Sequence, residues 1–313
     1  MYCILTVMNT VLILCRKDER HDYDQVQTYR ESFNLIKTKC KYVFGELERL
    51  TFYFDGQELV VLLDGIDIKV YDQLFLIGWF KTKILEDIAL SAAIYMNAHG
   101  KPIHNTEALY TRSRSKLSQY VVAAMNDIRL TPFLFSKDST VLSESFHRLW
   151  KEKYPVIMKG VQSSRGNDNY LLHDEQSVEN TIALINEDDP PWFVVQGYVP
   201  NDGDYRIIVM GTKVTYVMHR KSMSDSHLNN TSKGGQATTV PVSELPAEVL
   251  DQCVRLSRLL KREITGVDMI QHAVSGEFYL LEINNMPQMA TGANVNIKLT
   301  LLDQYLASNT ASN

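Results

Sequence analysis

The sequence predicts a mixed α/β (or α+β) protein that contains more than one domain. Strand-like and helix-like segments alternate through the first hundred residues, and β-rich runs return after residue 155. A chain of 313 residues is long enough to form two or three compact units. Its composition, 45% hydrophobic and 22% charged, is ordinary for a globular protein with a substantial core.

The first 110 residues are expected to form one domain. Its predicted elements are a strand at 11–15, a polar helix near 22–38, strands at 50–54 and 59–63, a strand at 74–77, and a helix at 82–98. An Asp-Gly pair follows each of the two middle strands, which favours an antiparallel meander there. Gly100 and Pro102 end the last helix.

Two further units are expected at residues 111–190 and 191–307, followed by a disordered tail at 308–313. The predicted elements are a helix from the basic segment 111–116 to about 128, strands at 156–159, 193–196, 205–210 and 213–218, a mobile polar loop at 222–236, a helix at 246–261, a strand pair near 267–273 and 277–283, and a short final helix. Gly211-Thr212 reads as a two-residue hairpin turn.

Charge and cysteine content restrict the function and the compartment. A net charge of −5 argues against a general nucleic-acid binder. The cysteines Cys3, Cys15, Cys40 and Cys253 are scattered, so free buried thiols in a reducing cytoplasm are expected. The apolar segment 3–15 is too short to span a bilayer and has no basic flank, which predicts one or two buried strands and no membrane partner.

The terminal strand pair carries the strongest chemical pattern. Glu282 and Asn284 are two residues apart, so they share one face of a strand. If 274–276 is a three-residue turn with Gly276 in the left-handed conformation, Asp268 lies directly opposite Glu282, whereas a two-residue turn breaks this pairing. Two adjacent carboxylates and an amide oxygen suit Mg²⁺. The alternative is a solvated polar face on an edge hairpin.

Several weaker patterns precede this hairpin, and each has an ordinary structural alternative. A buried strand delivers Lys159 to a small polar loop at 160–166, which suits a phosphate but also describes a surface turn. Exposed amides at 196–200 are able to pair with an adenine edge. Arg206 and Arg220, with the Lys233-Gly234-Gly235 segment, form a possible cationic lining for a transferred phosphate. No GxSxG, HExxH or helix-opening GxGxxG motif is present.

The order of these patterns over residues 113 to about 298 resembles the ATP-grasp superfamily, and is most similar to the RimK-type ligases, which join an amino acid to a peptide or protein carboxylate. The resemblance implies an N-terminal pre-ATP-grasp domain followed by a two-subdomain ATP-grasp fold. Two positions depart from the family pattern. Gln288 stands where a glycine often follows the proline, and Leu228 stands where an ATP-contacting arginine is common.

The resemblance implies a role for each matching residue. The implied ATP contacts are Lys116 and Lys159 with the phosphates, Ser163, Ser164 and Gly166 in the phosphate loop, Gln196, Tyr198 and Val199 at the adenine hinge, and Asp204 near the ribose. Asp268, Glu282 and Asn284 match the ligands of Mg²⁺, for which Mn²⁺ can substitute, and Asn230 is a further residue of that site. Arg220 and Lys233 match catalytic positions at the acyl-phosphate.

The implied activity is an ADP-forming carboxylate–amine ligation through an acyl-phosphate, with ATP and a peptide or amino acid as the partners. Closure of the small-residue loop would exclude water from the acyl-phosphate. A homo-oligomer is compatible with the resemblance, because related ligases are often dimers or tetramers. The alternatives are a peptide side-chain crosslinking enzyme, a small-substrate ligase similar to glutathione synthetase, a non-catalytic ATP-binding module, and phosphotransfer to a non-carboxylate acceptor.

Overall fold

The computed structural model of the chain describes residues 8–16, 25–77, 82–110, 115–150, 154–161, 168–184, 192–222, 236–284 and 287–309. Within these ranges the α-helices are α1 (Gln25–Phe33), α2 (Lys83–Ala98), α3 (Lys116–Ala124), α4 (Ser139–Leu149), α5 (Glu175–Ala183), α6 (Ala247–Leu259) and α7 (Val295–Ser308). The strands are β1 (Thr10–Cys15), β2 (Lys41–Glu46), β3 (Leu50–Phe54), β4 (Leu59–Leu63), β5 (Ile66–Asp67), β6 (Gln73–Ile77), β7 (Ile103–His104), β8 (Phe133–Phe135), β9 (Val156–Gly160), β10 (Asn169–Leu172), β11 (Phe193–Gly197), β12 (Asp204–Met210), β13 (Lys213–Lys221), β14 (Gln236–Val240), β15 (Ile264–Gln271) and β16 (Phe278–Asn284). The mixed α/β class is confirmed.

The N-terminal part of the chain is built on a parallel sheet with strand order β2-β1-β6-β7. Its central strand β1 is an almost unbroken apolar run, as expected for a strand covered on both faces. Val11 and Ile13 point into one core, whereas Leu12 and Leu14 point into the other, against α2. The predicted meander is confirmed as the antiparallel sheet β3-β4-β5. Asp64 and Gly65 both have positive φ in its second turn.

The central sheet, with strand order β10-β9-β11-β8, presents two different faces. One face packs Met158 and Phe193 against helices α4 and α5. Lys159 pairs with Val194, and Ile157 pairs with Gln196, so these four side chains share the opposite face. This register brings the predicted phosphate lysine and the predicted hinge glutamine to the same side of the sheet.

The C-terminal sheet is antiparallel, with strand order β14-β13-β12-β15-β16. Met210 pairs with Lys213 around Gly211-Thr212, which confirms the predicted two-residue turn. Helix α6 covers one face through Ile207 and Val267. The other face joins the N-terminal core at one end and carries charged side chains farther along.

Buried polar contacts tie the C-terminal elements to the N-terminal part. Asp303 on α7 accepts hydrogen bonds from the backbone of Lys39 and Cys40 and from the hydroxyl of Tyr42. Between β7 and α3, Glu107 forms a buried ion pair with Arg262 just before β15. The final helix is therefore a 14-residue structural element and not the short helix expected. The proposed domain boundaries at residues 110 and 190 stay predictions.

Other expectations met the structure as follows. Cys15, Cys40 and Cys253 are buried free thiols, while Cys3 lies outside the described residues. Ser308, assigned to a disordered tail, is the last residue of α7. Most of the loop predicted at 222–236 is outside the described ranges, and its last residue, Gln236, begins β14. Among the helices that the structure describes, none combines the length and the apolar character needed to cross a bilayer.

Candidate active site

Four charged side chains lie side by side on the C-terminal sheet, on the face opposite α6. Strand register determines their order, because Asp204 pairs with Arg220 and Arg206 pairs with both Met218 and Asp268. All four charged residues are between 2% and 6% exposed. Buried charges of this kind persist only when they are paired and hydrogen-bonded.

The two carboxylates and the two guanidinium groups form one continuous network. Arg206 donates through Nε to Asp268 Oδ1 and through Nη2 to Asp268 Oδ2, the latter at 2.8 Å. Arg220 donates through Nε to Asp204 Oδ1 at 2.6 Å, and its Nη2 lies 3.0 Å from Asp268 Oδ2. Arg220 thus bridges the two carboxylates, while Arg206 grips one of them with two nitrogens.

Burial and the arginines act in opposite directions on the two carboxyl groups. Burial raises the pKa of Asp204 to about 6, against the opposing charge of Arg220. Burial also acts to raise the pKa of Asp268, but Arg206 and Arg220 outweigh it and the net shift is downward. The difference follows from the hydrogen bonds, because Asp268 receives both guanidinium groups and Asp204 receives one.

Glu282 and Asn284 complete the polar face from strand β16. Asp268 pairs directly with Glu282, as the sequence predicted. Asn284 Nδ2 lies 3.2 Å from Asp268 Oδ2 and 3.2 Å from Glu282 Oε1. Which end of this amide faces the carboxylates is an assignment from the hydrogen-bond network, and rotation by 180° turns its oxygen toward them.

The turn that was expected to create this pairing is different. His272 N donates to Glu277 O, so the turn holds four residues, 273–276, and the predicted three-residue turn is wrong. Gly276 does adopt positive φ, at 74°. The pairing of Asp268 with Glu282 is restored by a β-bulge, because Met269 pairs with Leu280 and Leu281 is the extra residue.

Helix α3 and the bulge are joined by side-chain hydrogen bonds. The Tyr120 hydroxyl donates to Leu281 O at 2.7 Å, which satisfies the carbonyl of the extra residue. Gln119 donates to Ile283 O at 3.1 Å and accepts from Ile283 N at 2.9 Å, so it acts as a substitute neighbouring strand. These contacts hold the edge strand that carries Glu282.

Two lysines face the carboxylates from outside the C-terminal sheet. Lys116, in the first turn of α3, lies with Nζ 3.8 Å from Glu282 Oε2 and 3.3 Å from Gly160 O. Lys159 comes from the central sheet, and burial lowers its pKa to about 8, although Glu282 opposes this shift. The central and C-terminal sheets therefore meet across a cationic seam.

The Gln196 side chain is 1% exposed and leaves one polar atom without a partner among the described residues. The Tyr120 hydroxyl lies 3.2 Å from its amide but has a single hydrogen, which is directed to Leu281 O at the shorter distance. The Gln196 amide must then donate to Tyr120, which leaves its carbonyl oxygen as the unpartnered atom. An unsatisfied buried acceptor of this kind fits a ligand amino group.

The predicted site residues separate into three groups. The structure brings together Lys116, Lys159, Asp204, Arg220, Asp268, Glu282 and Asn284. Gln196 lies on the Lys159 face of the central sheet, followed by Tyr198, half-buried, and Val199, buried. Ser163, Ser164, Gly166, Asn230 and Lys233 lie outside the described residues, as does Leu228.

Three participants were given no role from the sequence. Arg206 is two residues after Asp204 on a strand, so its position on the same face was available from spacing alone. Gln119 and Tyr120 gave no such signal, because they act through the backbone of a strand about 160 residues away.

The donor atoms fit a magnesium ion. Asp268 and Glu282 supply carboxylate oxygens and Asn284 an amide oxygen, the hard ligands that Mg²⁺ prefers, usually with water and phosphate oxygens completing its shell. Lys116 and Lys159 supply positive charge beside them. Gln196 offers a buried acceptor on the same side of the central sheet.

Comparison with solved structures identifies the fold as that of ATP-grasp ligases. The ATP-grasp ligase PsnB, in complex with a minimal precursor, Mg and ADP, superposes with a TM-score of 0.67 at 16% identity, covering 95% of this chain and 96% of that one. The model of the RimK-like ATP-grasp domain matches residues 113–306, which is more than half of the sequence. The chain belongs to the RimK-like ATP-grasp domain family.

Curated relatives are more distant in length. A probable alpha-L-glutamate ligase of Alkalilimnicola ehrlichii is 29% identical over 203 residues, covering 62% of this chain and 64% of that protein. A probable alpha-L-glutamate ligase of Rhodopirellula baltica is 24% identical over 184 residues, covering 58% and 44%. The chain thus spans less than two thirds of the length of these two relatives.

Proposed function

We propose that the protein is an ADP-forming carboxylate–amine ligase that activates a carboxylate of a peptide or amino acid with ATP. The observation that carries this proposal is the convergence of Asp268, Glu282 and Asn284 with two buried arginines and two lysines at the meeting of two sheets. A solvated polar hairpin face, the alternative for these carboxylates, is not supported, because Asp268 is 2% exposed.

The nucleotide is assigned to the space between the central and C-terminal sheets. Lys116 and Lys159 would contact the phosphates, with Ser163, Ser164 and Gly166 of the small-residue loop. Gln196, Tyr198 and Val199 would receive the base, the unpartnered Gln196 oxygen accepting from the amino group of adenine. Asp204 would lie near the ribose.

Asp268, Glu282 and Asn284 would hold Mg²⁺, with Mn²⁺ as a substitute. When bound, the cation supplies charge neutralisation at the phosphates of ATP. The substrate carboxylate oxygen attacks the terminal phosphorus, and the bond from that phosphorus to the ADP oxygen breaks. The amine nitrogen then attacks the carbonyl carbon, loses a proton to solvent and expels inorganic phosphate. Arg220, with Lys233, would stabilise the negative charge that develops on the carbonyl oxygen.

The acceptor class rests on the relatives. The curated relatives are named as glutamate ligases, and PsnB is solved with a precursor peptide, so both amino acids and peptides are candidates for this chain. ADP release that requires an added peptide would favour peptide modification, including side-chain crosslinking. ADP release with a free amino acid would favour a small-substrate ligase.

The test is ADP formation by the Glu282→Ala variant. We expect the loss of all measurable ADP formation, since one of two carboxylates is removed from the proposed metal site. Glu144→Ala, an exposed position on α4, is the matched control and should behave as the wild type. Unchanged ADP formation by Glu282→Ala would overturn the metal assignment. Nucleotide binding by the wild type without ADP formation over a wide acceptor panel would favour a non-catalytic module.

A further inference from the structure

The oxygens of Asp268 are already occupied by donors of the protein. Arg206 contacts both oxygens, and Arg220 and Asn284 each contact Oδ2. A carboxylate has about four lone-pair positions, so Oδ2 with three donors is saturated. Asp268 is therefore a carboxylate whose charge is balanced inside the protein before any cation reaches it.

A divalent cation at Asp268 competes with these guanidinium groups. Like charges a few ångströms apart repel strongly in a buried setting, where solvent screening is weak. Lys116, Lys159 and Lys298 add further positive charge nearby, since Lys116 lies against Glu282 and Lys298 is an electrostatic neighbour of Arg206. The cation and the full set of arginine contacts cannot be held together at low energy.

We propose that Arg206 is the resident counterion of Asp268 and leaves this carboxylate when the divalent cation binds, which frees its guanidinium for an anionic group of the substrate. This inference rests on the proposed function, because it assumes that Asp268 is a metal ligand. Arg206 is thus a positioning residue for the empty site and an anion-binding residue for the loaded one.

Arg206 is better suited to this exchange than Arg220. Arg220 keeps a second partner, since its Nε donates to Asp204, whereas both side-chain hydrogen bonds of Arg206 go to Asp268. The stem of Arg206 crosses Gly266, where a Cβ atom would come within 2.7 Å of Arg206 Cδ. The absence of a side chain at Gly266 leaves the arginine an unobstructed surface on the sheet.

The exchange predicts that the cation and an anion assist each other. If the cation releases Arg206 and the anion binds it, the affinity for each rises when the other is bound, by the same factor. A fixed Arg206 would give no such reciprocal effect beyond direct attraction between the two ions.

The experiment measures Mn²⁺ binding by the resting enzyme, with electron paramagnetic resonance of the free ion and no nucleotide present. We expect Arg206→Gln to bind Mn²⁺ about tenfold more tightly than the wild type, because one positive charge is removed beside the ligands. Arg206→Lys, which keeps the charge but loses the two-nitrogen grip, should fall between them. Arg49→Gln removes an exposed arginine far from the site and should match the wild type.

A second measurement follows inorganic phosphate binding with and without Mn²⁺, after circular dichroism has confirmed that each variant is folded. Mn²⁺ should raise phosphate affinity in the wild type and do so less in Arg206→Gln and Arg206→Lys. Equal or weaker Mn²⁺ binding by Arg206→Gln, with binding lost in Asp268→Asn, would overturn the exchange and keep the metal site. Wild-type Mn²⁺ binding by Asp268→Asn would instead overturn the metal assignment of the proposed function.

Discussion

Asp268 and Glu282 face each other across strands β15 and β16 because Leu281 bulges out of the ladder between them. Leu280 packs in the core under helix α6, and without the extra residue Glu282 would follow it to that side of the sheet. The carbonyl of Leu281 accepts the Tyr120 hydroxyl. One buried hydroxyl therefore supports the geometry of the two carboxylates.

Tyr120→Phe should lower stability and weaken the metal site together. The change leaves the Leu281 carbonyl and the Gln196 amide without their shared partner, which costs roughly 1–3 kcal/mol for a buried group. Chemical denaturation and Mn²⁺ titration would measure the two effects. Tyr279→Phe, on the same strand but at a hydroxyl bound to the exposed Glu277, is the control. Equal effects from both changes would contradict a special role for Tyr120.

Lys159 should make nucleotide binding sensitive to alkaline pH. Its lowered pKa of about 8 means that it carries its charge below that pH and loses it above. A bound phosphate favours the charged form, so ATP affinity should fall above pH 8 by up to about tenfold per pH unit. The measurement is ATP binding between pH 7 and 9.5 in the wild type and in Lys159→Arg. The arginine variant, which stays charged, should show a flat profile.

Gln196→Met should weaken ATP binding and reduce the preference for ATP over GTP. The unpartnered amide oxygen accepts from the amino group of adenine, whereas guanine has a carbonyl oxygen at that position and would be repelled. Loss of one such hydrogen bond corresponds to roughly a tenfold change in affinity. Competition binding of the two nucleotides measures the ratio, with the exposed Gln176→Met as control. An unchanged ratio would place the base elsewhere.

Gly266→Ala should displace Arg206 without removing any charge. The new methyl group would come within 2.7 Å of Arg206 Cδ and 2.8 Å of Pro287 Cβ, closer than real contacts allow. ADP formation should fall at least tenfold while the protein stays folded. The same change in an Arg206→Gln background should have a smaller effect if it acts through Arg206. Additive losses in the double variant would indicate that Pro287 or the backbone is the cause.

His104 should make the folded state sensitive to mild acid. The ring is 3% exposed, and burial lowers its pKa from 6.5 to about 4. Below pH 6.5 the unfolded chain binds a proton that the folded protein refuses, so stability falls as pH drops from about 6.5 to 4, by about 3 kcal/mol in total. Urea denaturation at pH 7 and pH 5 would show this. His104→Gln should reduce the difference, and an equal pH effect in that variant would assign the loss to other groups.

His104 also illustrates what the sequence could not supply. Its Nε2 lies 2.7 Å from Gln73 Oε1, and Gln73 Nε2 donates to Leu306 O on the final helix. This chain of hydrogen bonds joins residues more than 200 positions apart, and no local pattern encodes it.

Local pattern was sufficient for much of the fold. Strands β1, β3, β4, β6, β12 and β13 and helices α2 and α6 follow from hydrophobic periodicity and from turn residues such as Gly211, because these depend on neighbours within a few positions. Spacing also placed Glu282 and Asn284 on one face. The shared face of Asp204 and Arg206 was available on the same grounds.

The tertiary structure decided the rest of the site. The turn at 273–276 has an even number of residues, so the pairing of Asp268 with Glu282 depends on the bulge, which is stabilised from helix α3. Two arginines were visible in the sequence, but only strand order shows that both reach Asp268. By itself the sequence determined which residues could share a strand face. Which faces meet depends on packing between elements far apart in the chain, and that packing set the charges and pKa values of the site.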